Sequence, residues 1–207
     1  ARAYVASGEK ARAGRIIRSV WTGNFLDRAT EDQVLAEFGG LLDRDAHWSR
    51  AVLLMMNDRA EGVERLERFL SPAQKSLAVA RNATSRNAPN AKALLDAVDP
   101  SLTTHAVYLL SRAERARQFE LWDDAIGWLN KVSGLPVDAD EFWAERQRLI
   151  RDLLGAGQVK KAYIAAATYT NGPEGRLVEG RFMAGWIALS FLKDPKLALP
   201  QFTAMTS

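Results

Sequence analysis

Apolar residues recur along this chain at three- and four-residue intervals, while the Val/Ile/Thr alternation typical of strands is nearly absent. From Phe182 to Phe202, "FMAGWIALSFLKDPKLALPQF" reads as two amphipathic helices folded around an Asp194-Pro195 break. Pro195 cannot continue the first helix, but it fits the first turn of the next. Other boundaries carry their own signals. In "ATEDQVLAEF", Thr30 is a candidate N-cap with Gln33 three residues on. In "SPAQKSLAVA", Ser71 caps a helix with Pro72 at its first position and Gln74 completing a capping box. Asp99-Pro100 is expected to open another helix, and stops are expected at Gly39-Gly40, "VSGLP", "LLGAG" and "TNGPEG". The pattern predicts about twelve helices joined by short connections.

Three of these segments repeat one another. "WDDAIGWL", "VKKAYIAAA" and "PKLALPQF" place Ala125, Ala162 and Ala198 at intervals of 37 and 36 residues. Each alanine falls near the start of the second helix of a hairpin, after a short polar or Gly/Pro turn. A small residue there lets two helices approach closely, and aromatics one turn away are expected to fill the space beside it. "RAEGVERLERFL" and "NAKALLDAV" echo the pattern more weakly. A period in the mid-thirties is that of stacked helix pairs. The predicted fold is therefore all-α: a right-handed superhelix of stacked helical hairpins, a tetratricopeptide-like solenoid, spanning 1–207 as a single domain. With neither a linker nor a low-complexity tract in the sequence, one continuous array is expected rather than two domains.

Composition changes this picture little. Apolar residues make up 47% of the 207, with six Trp and eight Phe, enough for a sizeable core. No apolar run reaches the roughly 18 residues a membrane span needs. The 28 Lys and Arg against 25 Asp and Glu give a net charge of +3, far from the dense basic patches of a dedicated nucleic-acid binder. The absence of Cys excludes disulfides, thiolate metal sites and thiol catalysis. There is no initiator Met or signal peptide, and both ends fall in helix-like sequence. The chain is therefore expected to be a piece of a longer or processed polypeptide.

Candidate chemistry is sparse. His47 and His105 lie far apart and belong to no HExxH pattern; GxxxxGK[ST], GxGxxG and GxSxG are also absent. Glu114, Glu141, Glu145 and Glu179 could each serve as a general acid. They also lie in helices beside Arg residues, as in "RAERAR" and "WAERQR", where ordinary helical ion pairing accounts for them. Trp122, Trp128, Trp143 and Trp186 fall at helical spacing among Leu, Ile and Phe, which favours core packing over a sugar-stacking groove. Trp21 and Trp48 fit either role. Arg112, Arg115 and Arg117 form either a solvated face or, on a concave surface, an attractor of carboxylates or phosphates. No catalytic, metal or cofactor residue is assigned, no cofactor is expected, and ligand-facing residues are not distinguished.

The stretch "EFWAERQRLIRDLLGAGQVKKAYIAAATY", followed by "RFMAGWIALSFLKDPKLALPQF", resembles the helical region of bacterial soluble lytic murein transglycosylases. The first part carries the resemblance through Trp143, Glu145, Arg146, Gly157, Ala162 and Tyr163. The second carries it through Gly185, Trp186, Ala188, Leu189, Leu192, Asp194, Pro195, Ala198 and Phe202. "VLAEFGGLLDRDAHWSRAVLLM" is similar to an earlier family segment through Phe38, Gly39, Leu42, His47, Arg50 and Leu54. Family enzymes cleave the glycan strand of peptidoglycan without water, leaving 1,6-anhydromuramic ends. They use one catalytic Glu in a lysozyme-like domain marked by a Glu-Ser pair, "GLMQ" and "AYNAG", none of which occurs here; "AYIAAA" at Ala162 is a different context.

The resemblance thus implies a periplasmic, non-catalytic scaffold. Its partners would be peptidoglycan and a catalytic domain elsewhere in the same polypeptide, with no nucleic acid and no membrane span. The mild basic balance suits the carboxylates of peptidoglycan stem peptides. The alternative is a free-standing tetratricopeptide-like protein-interaction module. Nucleic-acid binding through the Arg faces is a third reading, requiring affinity retained at about 200 mM salt.

Overall fold

A computed structural model describes residues 1–205, and every regular element in it is a helix. The described residues form thirteen α-helices and three single-turn 3-10 segments, with no strand. Packing divides them into two compact units that meet in sequence at Leu102 and Thr103. The closing "FTAMTS", in which the sequence shows no helix-capping signal, includes Thr206 and Ser207, which lie outside the described residues.

The first unit contains α1 (Arg2–Ala6), α2 (Lys10–Gly23), α3 (Arg28–Phe38), α4 (Arg44–Met56), α5 (Ala60–Leu66), α6 (Pro72–Ser85) and α7 (Ala91–Asp96). Helix α2 buries Ala13, Ile17 and Trp21, four residues apart on one stripe, and packs on α4. In turn, α4 packs on α5 and α6, and α6 on α7. Trp21, Met55, Met56, Leu77 and Leu95 are fully buried in this core.

The second unit contains α8 (Ala106–Gln118), α9 (Trp122–Asn130), α10 (Ala139–Gly155), α11 (Val159–Ala167), α12 (Glu174–Ser190) and α13 (Pro195–Thr203). Helices α8 and α9, α10 and α11, and α12 and α13 pack as sequence-adjacent pairs, and α11 also packs on α12. Ala125, Ala162 and Ala198, the small residues of the repeat, are each the fourth residue of the second helix of a pair, and all three are buried. Gly185 lets α12 and α13 approach closely. A Cβ at that position would lie 2.7 Å from the Phe202 ring.

One turn geometry recurs in both units. Gly8, Asp58, Glu120, Gly157 and Lys193 each precede the start of α2, α5, α9, α11 or α13 by two residues, and each has φ between 54° and 80°. At four of them the next residue's N–H reaches back five residues: Glu9 to Tyr4, Arg59 to Leu54, Leu121 to Ala116 and Gln158 to Leu153; after Lys193, Asp194 N instead reaches back six, to Ala188. The five-residue bond is the closing contact of a Schellman turn, and it satisfies a carbonyl that the preceding helix end would otherwise leave unpaired.

The cap signals were partly legible. The Ser71–Gln74 box forms as expected: Ser71 Oγ accepts from Gln74 N at 3.2 Å, and Gln74 Oε1 accepts from Ser71 N at 2.9 Å. Asp194 caps α13, accepting from Lys196 N at 2.9 Å and Leu197 N at 3.1 Å. Thr30 is not the cap of α3. Asp27 takes that place, accepting from Thr30 N at 2.7 Å, because its carboxylate precedes the first helical residue and Thr30 already lies in the first turn. Pro100 opens only a 3-10 turn, and α8 starts after His105, whose Nδ1 accepts from Val107 N at 3.2 Å.

Candidate functional site

The first unit carries an open cleft of about 750 Å3, lined among others by Phe25, Asp27, Glu31, Arg59, Arg65 and Arg86. Glu31, in the first turn of α3, is buried at its base. Its Oε1 accepts from Arg50 of α4 at 2.5 and 3.2 Å, and its Oε2 from Arg65 of α5, through Nε at 2.9 Å and also through Nη2. Arg50 is fully buried; it also donates to the carbonyls of Trp21 at 2.7 Å and Asn24 at 3.1 Å, and lies 4.3 Å over the Trp21 ring. Since guanidinium donors hold both Glu31 oxygens, this carboxylate organises three helices and has no oxygen left for proton transfer. At the mouth, Arg59 lies 5.2 Å over the exposed Phe25. An aromatic surface beside charges of both signs suits a polar, ring-bearing ligand.

His47 belongs to this core rather than to the cleft. It stacks on Phe69 at 3.9 Å and meets Trp21 edge-on at 5.8 Å, and burial holds its pKa below the usual value. Burial likewise lowers His105, which works as a helix cap in the other unit. Trp21 is fully buried, and Trp48 is half-buried.

In the second unit the four carboxylates do not converge on one cleft. Glu114 accepts from Gln118 at 3.3 Å, and Glu141 is half-buried at the start of α10. Glu145 is buried and accepts from Arg117 at 2.5 Å; burial pushes its carboxyl above the usual range against the pull of that guanidinium. Glu179 accepts from Trp143 Nε1 at 2.6 Å and from Arg176 at 2.8 Å. The arginines of α8 also part company. Arg112 donates to the Tyr108 hydroxyl at 2.8 Å, Arg115 lies 3.5 Å over Phe119, and Arg117 bridges Glu145 and Asp152. They therefore form no single basic patch.

A second cleft, of about 440 Å3, is lined by Thr103, Thr104, Tyr108, Leu109, Trp128 and Lys131. Trp128 meets Tyr108 edge-on at 6.0 Å, and Lys131 Nζ sits 3.6 Å over the Trp128 ring. Cations held on aromatic faces, with no carboxylate in the lining, favour a ligand carrying negative charge. Among the other tryptophans, Trp143 is core and stacks on Tyr169 at 4.7 Å, and Trp122 is half-buried. Trp186 departs from the core reading: it stays 42% exposed, edge-on to Phe191.

Glu31, Phe25 and Lys131 were not distinguished by the sequence. Each sits in unremarkable helical or loop context, and only the partners brought by other helices single them out. Among the described residues, no cluster of three or more His, Cys, Asp or Glu side chains is arranged to hold a metal, and no helix is long and apolar enough to cross a membrane. No family model, curated protein or solved structure matches the chain.

Proposed function

We propose that this chain is a non-catalytic scaffold: a right-handed solenoid of helical hairpins from a periplasmic soluble lytic murein transglycosylase. Its role is to hold peptidoglycan glycan strands for a catalytic domain elsewhere in the same polypeptide. The observation that carries the repeat reading is the turn geometry shared by four helix pairs, at Gly8, Asp58, Glu120 and Gly157, with a left-handed residue at the same place, Lys193, in a fifth. Bonds between successive pairs add support at nearly constant sequence separation: Asp123–Lys161, Asp140–Arg176, Trp143–Glu179 and Tyr163–Gln201 span 36 to 38 residues. The glycan reading rests on the resemblance of the "AGWIALSFLKDPKLALPQF" hairpin and its neighbours. It is supported by the two clefts, in which aromatic rings stand beside cations.

Cosedimentation with purified sacculi tests this function. Saturable sedimentation of the chain, without release of anhydromuropeptides, is expected. Failure to sediment removes the glycan-holding role, and release of anhydromuropeptides by the chain alone removes the non-catalytic one. A protein-interaction module is the second reading, favoured by the exposed Phe182, Trp186, Leu189 and Leu199 of α12 and α13. Saturable peptide binding with no binding to sacculi would select it.

A further inference from the structure

Among the described residues, three arginines are buried: Arg50, Arg81 and Arg146. Arg50 has Glu31 as its counter-ion, and Arg81 has Asp58 at 2.5 Å. Among the described residues, Arg146 of α10 has only neutral partners. Its Nη1 donates to the Ala165 carbonyl at 2.7 Å and to Thr168 Oγ1 at 3.3 Å, and its Nη2 donates to Asn130 Oδ1 at 2.9 Å. These bonds use three of its five donors. Among the described residues no carboxylate reaches it, and burial lowers its pKa to about 10, still charged at neutral pH. A buried charge without an opposite charge is costly, and proteins ordinarily pair it.

The same place holds a second unmet group. The Tyr169 hydroxyl is buried and has no hydrogen-bond partner among the described residues. Burial raises its pKa, so it is a neutral donor and supplies no negative charge. Arg146 and Tyr169 both line a small cavity of about 20 Å3, with Thr168, Thr170 and Asn171 around it. That volume admits one water-sized species. A water would satisfy the hydroxyl and leave the charge uncompensated, whereas a monatomic anion answers both.

We propose that the cavity between Arg146 and Tyr169 is a binding site for a single small anion, chloride in ordinary solution, held by the guanidinium and the tyrosine hydroxyl. Its occupancy compensates the one buried arginine that lacks a carboxylate and braces α10 against the segment after α11.

The test combines crystals of the 207-residue chain grown in sodium bromide with thermal unfolding in sodium chloride and, at equal ionic strength, sodium gluconate. An anomalous bromide peak in contact with Arg146 and the Tyr169 hydroxyl is expected. At chloride tenfold above its dissociation constant, Tm is expected to rise by about 3–6 °C, with no such rise in gluconate. Tyr169→Phe should raise the half-saturating chloride concentration about tenfold, as loss of one charge-assisted hydrogen bond does. Arg146→Met should abolish the response; if that variant fails to fold, the bromide map and Tyr169→Phe decide. A water in the cavity, with Tm equal in the two salts, would overturn the proposal.

Discussion

Trp143 Nε1 donates a 2.6 Å hydrogen bond to Glu179 Oε2, joining α10 to α12 across 36 residues of sequence. The indole is buried and stacks on Tyr169, so its N–H has no ready substitute for this acceptor. Glu179→Ala is expected to cost about 1–3 kcal/mol in urea unfolding, the usual penalty for stranding a buried donor. Glu179→Gln keeps an acceptor and should lose less. Equal stability of Glu179→Ala and the parent chain would show that the bond contributes nothing.

In the first unit, Arg50 is the hub of α2, α3 and α4 through Trp21, Asn24 and Glu31. Arg50→Met should destabilise by about 3–5 kcal/mol, because it leaves a buried carboxylate with only Arg65. Denaturant unfolding followed by tryptophan fluorescence reads this directly, since Trp21 lies beneath the guanidinium. A loss under 1 kcal/mol, about the worth of an exposed pair, would refute the buried-hub reading.

The recurring hairpin turn makes a prediction of opposite signs at two sites. Glu120 occupies left-handed backbone, φ 55°, where a Cβ is disfavoured. Glu120→Gly should therefore stabilise by about 0.5–1 kcal/mol, the relief exceeding the entropy cost of glycine. Gly157, φ 70°, sits in the equivalent turn, and Gly157→Ala should destabilise by about 1–2 kcal/mol. Matched shifts of the same sign in thermal melts would contradict the equivalence of the two turns.

Stability should depend on pH through the histidines. Burial places the folded pKa of both His47 and His105 below the ordinary 6.5. As pH falls through that value the unfolded chain takes up protons first, so their contribution is present above 6.5 and lost below it. Each histidine adds at most about 1.4 kcal/mol per pH unit to that slope. Glu145 acts in the other direction: its raised carboxyl favours the folded state at low pH, and this advantage fades as pH rises above 4.5. Urea titrations between pH 7.5 and 5.5 should show a slope that His47→Gln with His105→Asn flattens. An unchanged slope in that double variant would assign the dependence to other groups.

The sequence by itself determined the helices, most of their ends and the repeat of Ala125, Ala162 and Ala198. These are local matters: periodicity, a Ser71 side chain within reach of the next N–H groups, and Pro195 at a first turn. It also placed Trp143, Ala125 and Ala162 in the core, because helical spacing exposes or buries a whole stripe at once. The turn geometry was only half visible. Gly8 and Gly157 announce left-handed backbone, whereas Asp58, Glu120 and Lys193 adopt it with no glycine to signal it.

The clefts and the ion pairs were decided by tertiary structure alone. Glu31 looks like any first-turn acid until Arg50 and Arg65 arrive from two other helices. Glu145 pairs with Arg117, 28 residues away, rather than with a neighbour on its own helix alone. Arg146, beside it in sequence, faces the opposite circumstance and meets no carboxylate. Adjacent residues on a helix point about 100° apart, so the same "WAERQR" run sends one charge to a partner and buries the next without one.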